Sequence, residues 1–116
     1  MTRKLKFLSE TGAKTVIEIK PYMELDGSFA EKSGFEKKAD NTFYMVAKDK
    51  DELIGIGKMA VFADFAEICD VYIADEGFKM LAHGIGKSML NFIERREIYP
   101  VICKNENLSD LMRLLR

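Results

Sequence analysis

His83-Gly84-Ile85-Gly86-Lys87-Ser88-Met89-Leu90 sets two glycines one residue apart at the opening of an apolar-periodic segment, directly after a strand-like run. Glycines let a backbone come close to a ligand, and the N–H groups and positive dipole end of a following helix favour phosphate or another anion. The stretch reads as an anion cradle built on the Gly84-Ile85-Gly86 turn, with His83 beside it and Lys87 and Ser88 following. Behind it Ile85, Met89, Phe92 and Ile93 recur at i, i+4, i+7 and i+8, an apolar stripe along a helix that ends near Arg96.

Upstream of the glycines the pattern changes from helical to alternating. Residues 67–73 form a strong strand, with Asp70 and Tyr72 expected on one face and Cys69, Val71 and Ile73 on the other. Before it, the β-formers of residues 42–47, the charged turn of residues 49–52 and the run at residues 53–61 predict a hairpin. Gly55 and Gly57 within that run point to a bulge or a close backbone approach. Residues 4–9 can form a short first strand, and residues 13–20 read as a short helix that must stop or kink at Pro21. Residues 26–41 are turn-rich, a loop with one helical turn, anchored by Phe29 and Phe35. Downstream, residues 99–103 supply a strand reached by a helical crossover and therefore parallel to its predecessor, and Leu108, Leu111, Met112 and Leu115 mark a last helix.

The totals restrict the partners. A chain of 116 residues fits one domain spanning residues 1–116. With 18 Lys plus Arg against 19 Asp plus Glu, its formal net charge of -1 gives no global attraction for nucleic acid or anionic membranes. The expected partner is a small molecule or a protein. Cys69 and Cys103 form no Cys-x-x-Cys pair, and His83 is the sole histidine, so no metal site is expected and both thiols read as reduced. The sequence contains neither a membrane-length apolar run nor a signal-peptide pattern, which makes the cytoplasm the default location.

The ordered set of hairpin, third strand, Gly-x-Gly helix, strand and helix resembles the central part of the GNAT superfamily of N-acetyltransferases, over roughly residues 42–116. The resemblance implies an α+β fold with a mixed, mainly antiparallel sheet flanked by helices, the family's final strands missing. In that family an Arg/Gln-x-x-Gly-x-Gly/Ala loop gives backbone N–H groups to the pyrophosphate of acetyl-CoA. Gly84 and Gly86 match its small positions, while Leu81 stands where Arg or Gln belongs. The segment at residues 76–82 is a few residues longer than the usual connection, and Leu114 lies about where the family carries a Tyr that protonates the departing thiolate.

Carried onto this sequence, the resemblance implies that Val71, Tyr72 and Ile73 run beside the pantetheine arm and that residues 83–88 hold the pyrophosphate. It implies acetyl transfer to a primary amine in a ternary complex, without a metal. Acyl transfer needs a base, a polarised carbonyl and a proton for the leaving sulfur. N–H groups near Tyr72 and Ile73 supply the polarisation, Asp70 and Glu67 are the candidate bases, and Tyr72 or Tyr44 is the candidate acid. The odd spacing of Glu67 and Asp70 sends them to opposite faces unless a bulge intervenes. The acceptor, a small molecule or a protein amine, has no motif in residues 12–41.

Two other nucleotide folds fit poorly. Gly86-Lys87-Ser88 ends a P-loop pattern whose first glycine would be residue 81, which is Leu, and Met89 occupies the third-glycine position of a dinucleotide motif. The remaining alternative keeps the fold without catalysis, as an acyl-CoA-binding or interaction module. Missing final strands would leave the strand at residues 101–103 with an open edge, so a homodimer covering that edge is also expected.

Overall fold

The computed structural model describes the backbone of residues 3–8 and 14–16 and all atoms of residues 17–74 and 81–103. Its elements in chain order are β1 (Arg3–Leu8), β2 (Lys14–Tyr22), α1 (Gly27–Ser33), β3 (Thr42–Asp49), β4 (Glu52–Val61), β5 (Ala66–Ile73), α2 (Leu81–Glu94) and β6 (Val101–Cys103). The strands form one sheet in the order β1-β2-β3-β4-β5-β6. Every neighbouring pair is antiparallel except the last, β5 with β6, which the helical crossover through α2 makes parallel. Among the described residues no helix is long and apolar enough to cross a membrane. The last helix expected from Leu108 to Leu115, and with it Leu114, lies outside the described residues.

The helix expected at residues 13–20 is instead β2. Ile17 and Ile19 are buried while Glu18 is half-buried and Lys20 exposed, a two-residue alternation that fits a strand with one apolar face. The pairing partners on both sides decide the matter, because residues 14–19 lie against β1 and residues 18–22 against β3. Pro21 falls beyond the last residue paired with β1, where a missing N–H can face an open edge.

α1 is longer than the single turn expected and carries both of its stop signals. Asp26 caps its start, its Oδ1 accepting from the Ser28 N–H at 2.9 Å and the Ser28 hydroxyl at 2.7 Å. Gly34 ends it in the left-handed region at φ 77° and donates its N–H to the Ala30 carbonyl. The Ser28 hydrogen bonds hold the Asp26 carboxyl below its ordinary pKa. A carboxyl with a depressed folded-state pKa stabilises the fold above its unfolded-state pKa and loses that contribution as pH falls through the folded value. Thermal melts of Asp26→Ala are therefore expected to lie below wild type at neutral pH and to converge on it in acid. Parallel curves across that range would contradict the cap.

The sheet has two unlike faces. α2 covers one, where Ile19, Met45, Met59, Ile68, Leu81, Ile85, Met89 and Ile93 form the larger core. On the other face Leu25, Tyr44, Val46, Leu53 and Ile56 form a smaller core, with Tyr22, Phe29, Phe35 and Tyr72 packed around it. The anchoring expected of Phe29 and Phe35 is thus realised. α2 can lie close to the sheet because β4 presents glycines to it. A Cβ on Gly57 would fall 2.5 Å from Ile85 Cγ2, and one on Gly55 would fall 2.9 Å from both Ile85 Cδ1 and the Tyr72 carbonyl oxygen. These are the close approaches read from the sequence, and a bulge adjoins Gly55 as well, because Ala47 pairs with Gly55 but Lys48 with Leu53, leaving Ile54 as an extra residue.

Candidate functional site

A second bulge shapes β5. Lys58 pairs with Asp70 but Met59 with Ile68, so Cys69 is an extra residue in the strand. Alternation restarts across it. Ile68, Val71 and Ile73 all belong to the α2 side, while Tyr72 packs against the smaller core on the opposite side. The expected grouping of Cys69 with Val71 and Ile73 is corrected accordingly, because the extra residue breaks the two-residue period between Ile68 and Val71. The bulge also brings the two candidate bases together. Glu67 is paired with Ala60 and Asp70 with Lys58, both positions on the face away from α2, so Glu67, Asp70 and Tyr72 share one face.

The far edge of β5 is covered over part of its length. β6 pairs only with Ala66, Glu67 and Ile68; past the bulge, β5 has no strand neighbour on that side among the described residues. Ladder parity shows what points there. The Ala74 N–H donates to the Ile54 carbonyl at 2.8 Å, so the opposed pair Gly55 and Ile73 is a non-hydrogen-bonded one. The N–H groups of Ile73 and, two residues earlier, of Val71 therefore point away from β4. The Val71 N–H donates to Asp70 Oδ1 at 2.8 Å, and the Ile73 N–H projects beyond it along the same edge. Tyr72, between them, turns its N–H toward β4, so the backbone donors on this edge belong to Val71 and Ile73.

The glycine turn needs correction. α2 begins at Leu81, three residues before Gly84, so Gly84, Ile85, Gly86, Lys87 and Ser88 belong to the helix and do not form a turn ahead of it. The reason is Leu81 itself. It is fully buried and extends the apolar stripe backwards through Leu81, Ile85 and Met89, one turn earlier than a stripe counted from Ile85. In an α-helix the first-turn N–H groups are the ones without intrahelical partners, and the first described turn of α2 is Leu81, Ala82 and His83. His83 is half-buried beside them and Lys87 is exposed, whereas Ile85, Gly86 and Ser88 are buried. Ile85 fills the space above Gly55 and Gly57, and the Ser88 hydroxyl has no hydrogen-bond partner among the described residues. Any anion held at this end of α2 therefore meets the first-turn N–H groups and His83. Residues 75–80, which lead into the helix, lie outside the described residues.

Tyr44, one of the two candidate acids, is committed elsewhere. Its hydroxyl donates to the Glu36 carbonyl at 2.6 Å and its side chain is fully buried, which ties the segment after α1 to the sheet. Burial raises its pKa above the ordinary tyrosine value. Tyr72, half-buried at the edge, is the candidate that remains.

On the same face as Tyr72 a cavity of about 380 Å³ opens beneath the start of α1. Tyr22, Glu24, Asp26, Phe29, Lys48 and Asp51 are among its walls. The sequence carries no motif for it, since its residues come from the end of β2, the start of α1, the outer half of β3 and the β3–β4 turn. Among the described residues no three His, Cys, Asp or Glu side chains come together as a metal site would require.

No protein-family model matches the sequence, and no curated protein matches it. The architecture nevertheless has counterparts. It is similar to the crystal structure of an aminoglycoside acetyltransferase from an uncultured soil metagenomic sample in complex with sisomicin, at a TM-score of 0.59 and 13% identity over 85% of this chain and 84% of that one. A structure of that acetyltransferase in complex with trehalose matches at a TM-score of 0.53 and 14% identity, over 81% of this chain and 64% of that one. Likeness at such identities concerns the fold.

Proposed function

The chain has a GNAT-type fold, and from that premise we propose that it is an acetyl-CoA-dependent N-acetyltransferase acting by direct attack of a primary amine in a ternary complex. The observation that carries the reading is the edge of β5. After the Cys69 bulge it has no strand partner on its far side among the described residues, turns the Ile73 N–H outward and packs the Ile73 side chain with Ile85 of α2 over Gly55. Such an edge offers strand-like hydrogen bonds to an extended amide-bearing chain, which is the chemistry of pantetheine, with a helix N-terminus near for its phosphates.

In this reading the thioester carbonyl accepts from the Ile73 N–H, which stabilises the oxyanion as the amine attacks. The amine nitrogen forms the new C–N bond, the C–S bond breaks, and the proton lost by nitrogen goes to a carboxylate on the acceptor face. Asp70 is the base, with Glu67 on the same face behind it. Tyr72 gives its proton to the departing sulfur. Of the predicted contacts, Val71, Tyr72 and Ile73 serve the pantetheine arm and His83 the phosphates. The acceptor is a small amine, in keeping with the sisomicin bound by the structurally similar acetyltransferase.

Leu81 favours a second reading, in which the chain binds acyl-CoA without turning it over, because a buried leucine replaces the family's phosphate-facing Arg or Gln. Both readings require CoA binding. A ligand held only by the folded state at a hundred times its dissociation constant stabilises by about 2.7 kcal/mol, so CoA is expected to raise the melting temperature by several degrees. No shift at millimolar CoA would discard both readings.

A further inference from the structure

We propose that Asp70 is a gate on the β5 edge: in the free protein its carboxylate occupies the Val71 N–H that pantetheine requires, and entry of the cofactor moves it across to Lys58 on the acceptor face. The inference rests on the reading of this edge as the CoA site and adds how its base becomes available.

Past the bulge the far edge of β5 has two outward donors, the N–H groups of Val71 and Ile73, two residues or about 7 Å apart. Among the described residues only the first is taken, by Asp70 Oδ1 at 2.8 Å. A carboxylate on a backbone N–H stands in for the carbonyl of a neighbouring strand, and it shields an edge that would otherwise pair with any extended chain. An acyl-CoA laid along this edge in the manner of an added strand puts a carbonyl oxygen on each donor. It cannot reach Val71 while Asp70 is there.

The register supplies the place to which Asp70 moves. Lys58 is its Cα partner on β4, lies on the same face and is half-buried. No ion pair joins the two, because the carboxylate is turned over the opposite edge of its own strand. Asp70 is exposed, and among the described residues the Val71 N–H is the one hydrogen-bond partner of its side chain. Released from it, the carboxylate stands beside the Lys58 ammonium, on the face shared with Glu67 and Tyr72 where the amine loses its proton. Asp70 thus has two discrete positions, and the cofactor is compatible with one of them.

The test is an amide-resolved NMR titration of the whole chain with CoA and with 3′,5′-ADP, the nucleotide part that lacks pantetheine, paired with thiol release from acetyl-CoA. Asp70→Ala removes the gate and is expected to tighten CoA about three- to ten-fold, the equivalent of one net hydrogen bond, while thiol release falls. Asp70→Asn keeps an oxygen for the Val71 N–H and removes only the charge, so its CoA affinity is expected to stay within about two-fold of wild type. The nucleotide fragment is expected to bind all three alike. Lys58→Met takes away the second position and weakens CoA, but has no effect in the Asp70→Ala background. Equal CoA affinity in wild type and Asp70→Ala, or equal tightening by the alanine and asparagine variants, overturns the gate and leaves the edge reading standing. CoA that fails to bind, or binds without shifting the Val71 and Ile73 amides, overturns both. Tighter CoA in Asp70→Ala, with no amine-dependent thiol release by wild type, upholds the gate and sinks the transfer.

Discussion

Alanine at Gly57 is expected to destabilise the protein by about 2 to 3 kcal/mol, within the range for overpacking a tight interior, and to lower its melting temperature by roughly ten degrees or more. The added Cβ would lie 2.5 Å from Ile85 Cγ2 and 2.7 Å from Met89 Sδ. Methionine can swing aside, but Ile85 is branched at Cβ and held by the helix, so relief requires α2 to move off the sheet. Ile85→Ala alone leaves a cavity and costs about 2 to 5 kcal/mol. Because it removes the atom that Gly57→Ala strikes, the double variant is expected to be no less stable than Ile85→Ala alone, a strongly non-additive cycle in urea or heat. Gly55→Ala behaves differently. One of its two contacts at 2.9 Å is the Tyr72 carbonyl oxygen, which no side-chain substitution removes. That variant is expected to keep most of its penalty in the Ile85→Ala background and to disturb the Tyr72–Ile73 edge directly. Additive behaviour at Gly57 would contradict the packing of α2 on the glycines.

Deleting Cys69 is expected to leave the fold standing and to abolish the activity, with thiol release falling by about a hundred-fold or more, the scale of effect that a displacement near one ångström produces at a reacting centre. The register explains the separation of the two outcomes. With Cys69 gone, Met59 with Ile68 and Lys58 with Asp70 become consecutive pairs of an unbroken antiparallel ladder. Ile68, Val71 and Ile73 keep their places under α2, so melting should shift by only a few degrees. What is lost is the local bend and twist that the extra residue creates where β5 parts from β6. Full turnover by a folded deletion variant would show that the bulge has no part in the chemistry.

Much of this fold was legible in the chain, for reasons that can be named. The hairpin and third strand carry dense β-formers between charged turns, and the parallel β6 follows from a helical crossover. Residues 13–20 are ambiguous because Val16, Ile17 and Ile19 among polar residues fit the spacing of a short helix as well as that of a strand, and only pairing on both sides selects the strand. The start of α2 is harder to read, because Gly84 and Gly86 look like a boundary while Leu81 stands one turn ahead of them in the apolar stripe. The bulge left a subtler trace, two core residues, Ile68 and Val71, three apart in a strand of period two. At the site, the strand that carries Val71, Tyr72 and Ile73 was legible from its alternating β-formers, and the shared face of Glu67 and Asp70 was conditional on that bulge. The acidic cavity was not legible at all, because its residues meet only when α1, β2, β3 and the hairpin turn come together.

We propose that the β5 edge, beyond the Cys69 bulge, carries acetyl from CoA to an amine. The most direct test is steady-state release of free CoA thiol from acetyl-CoA with a panel of amines, with mass spectrometry of the amine products. Thiol release is expected to depend on the amine, with one acetyl group gained per thiol released, and both are expected to be lost in the Cys69 deletion variant. Binding of CoA with no amine-dependent thiol release above the uncatalysed rate would contradict it.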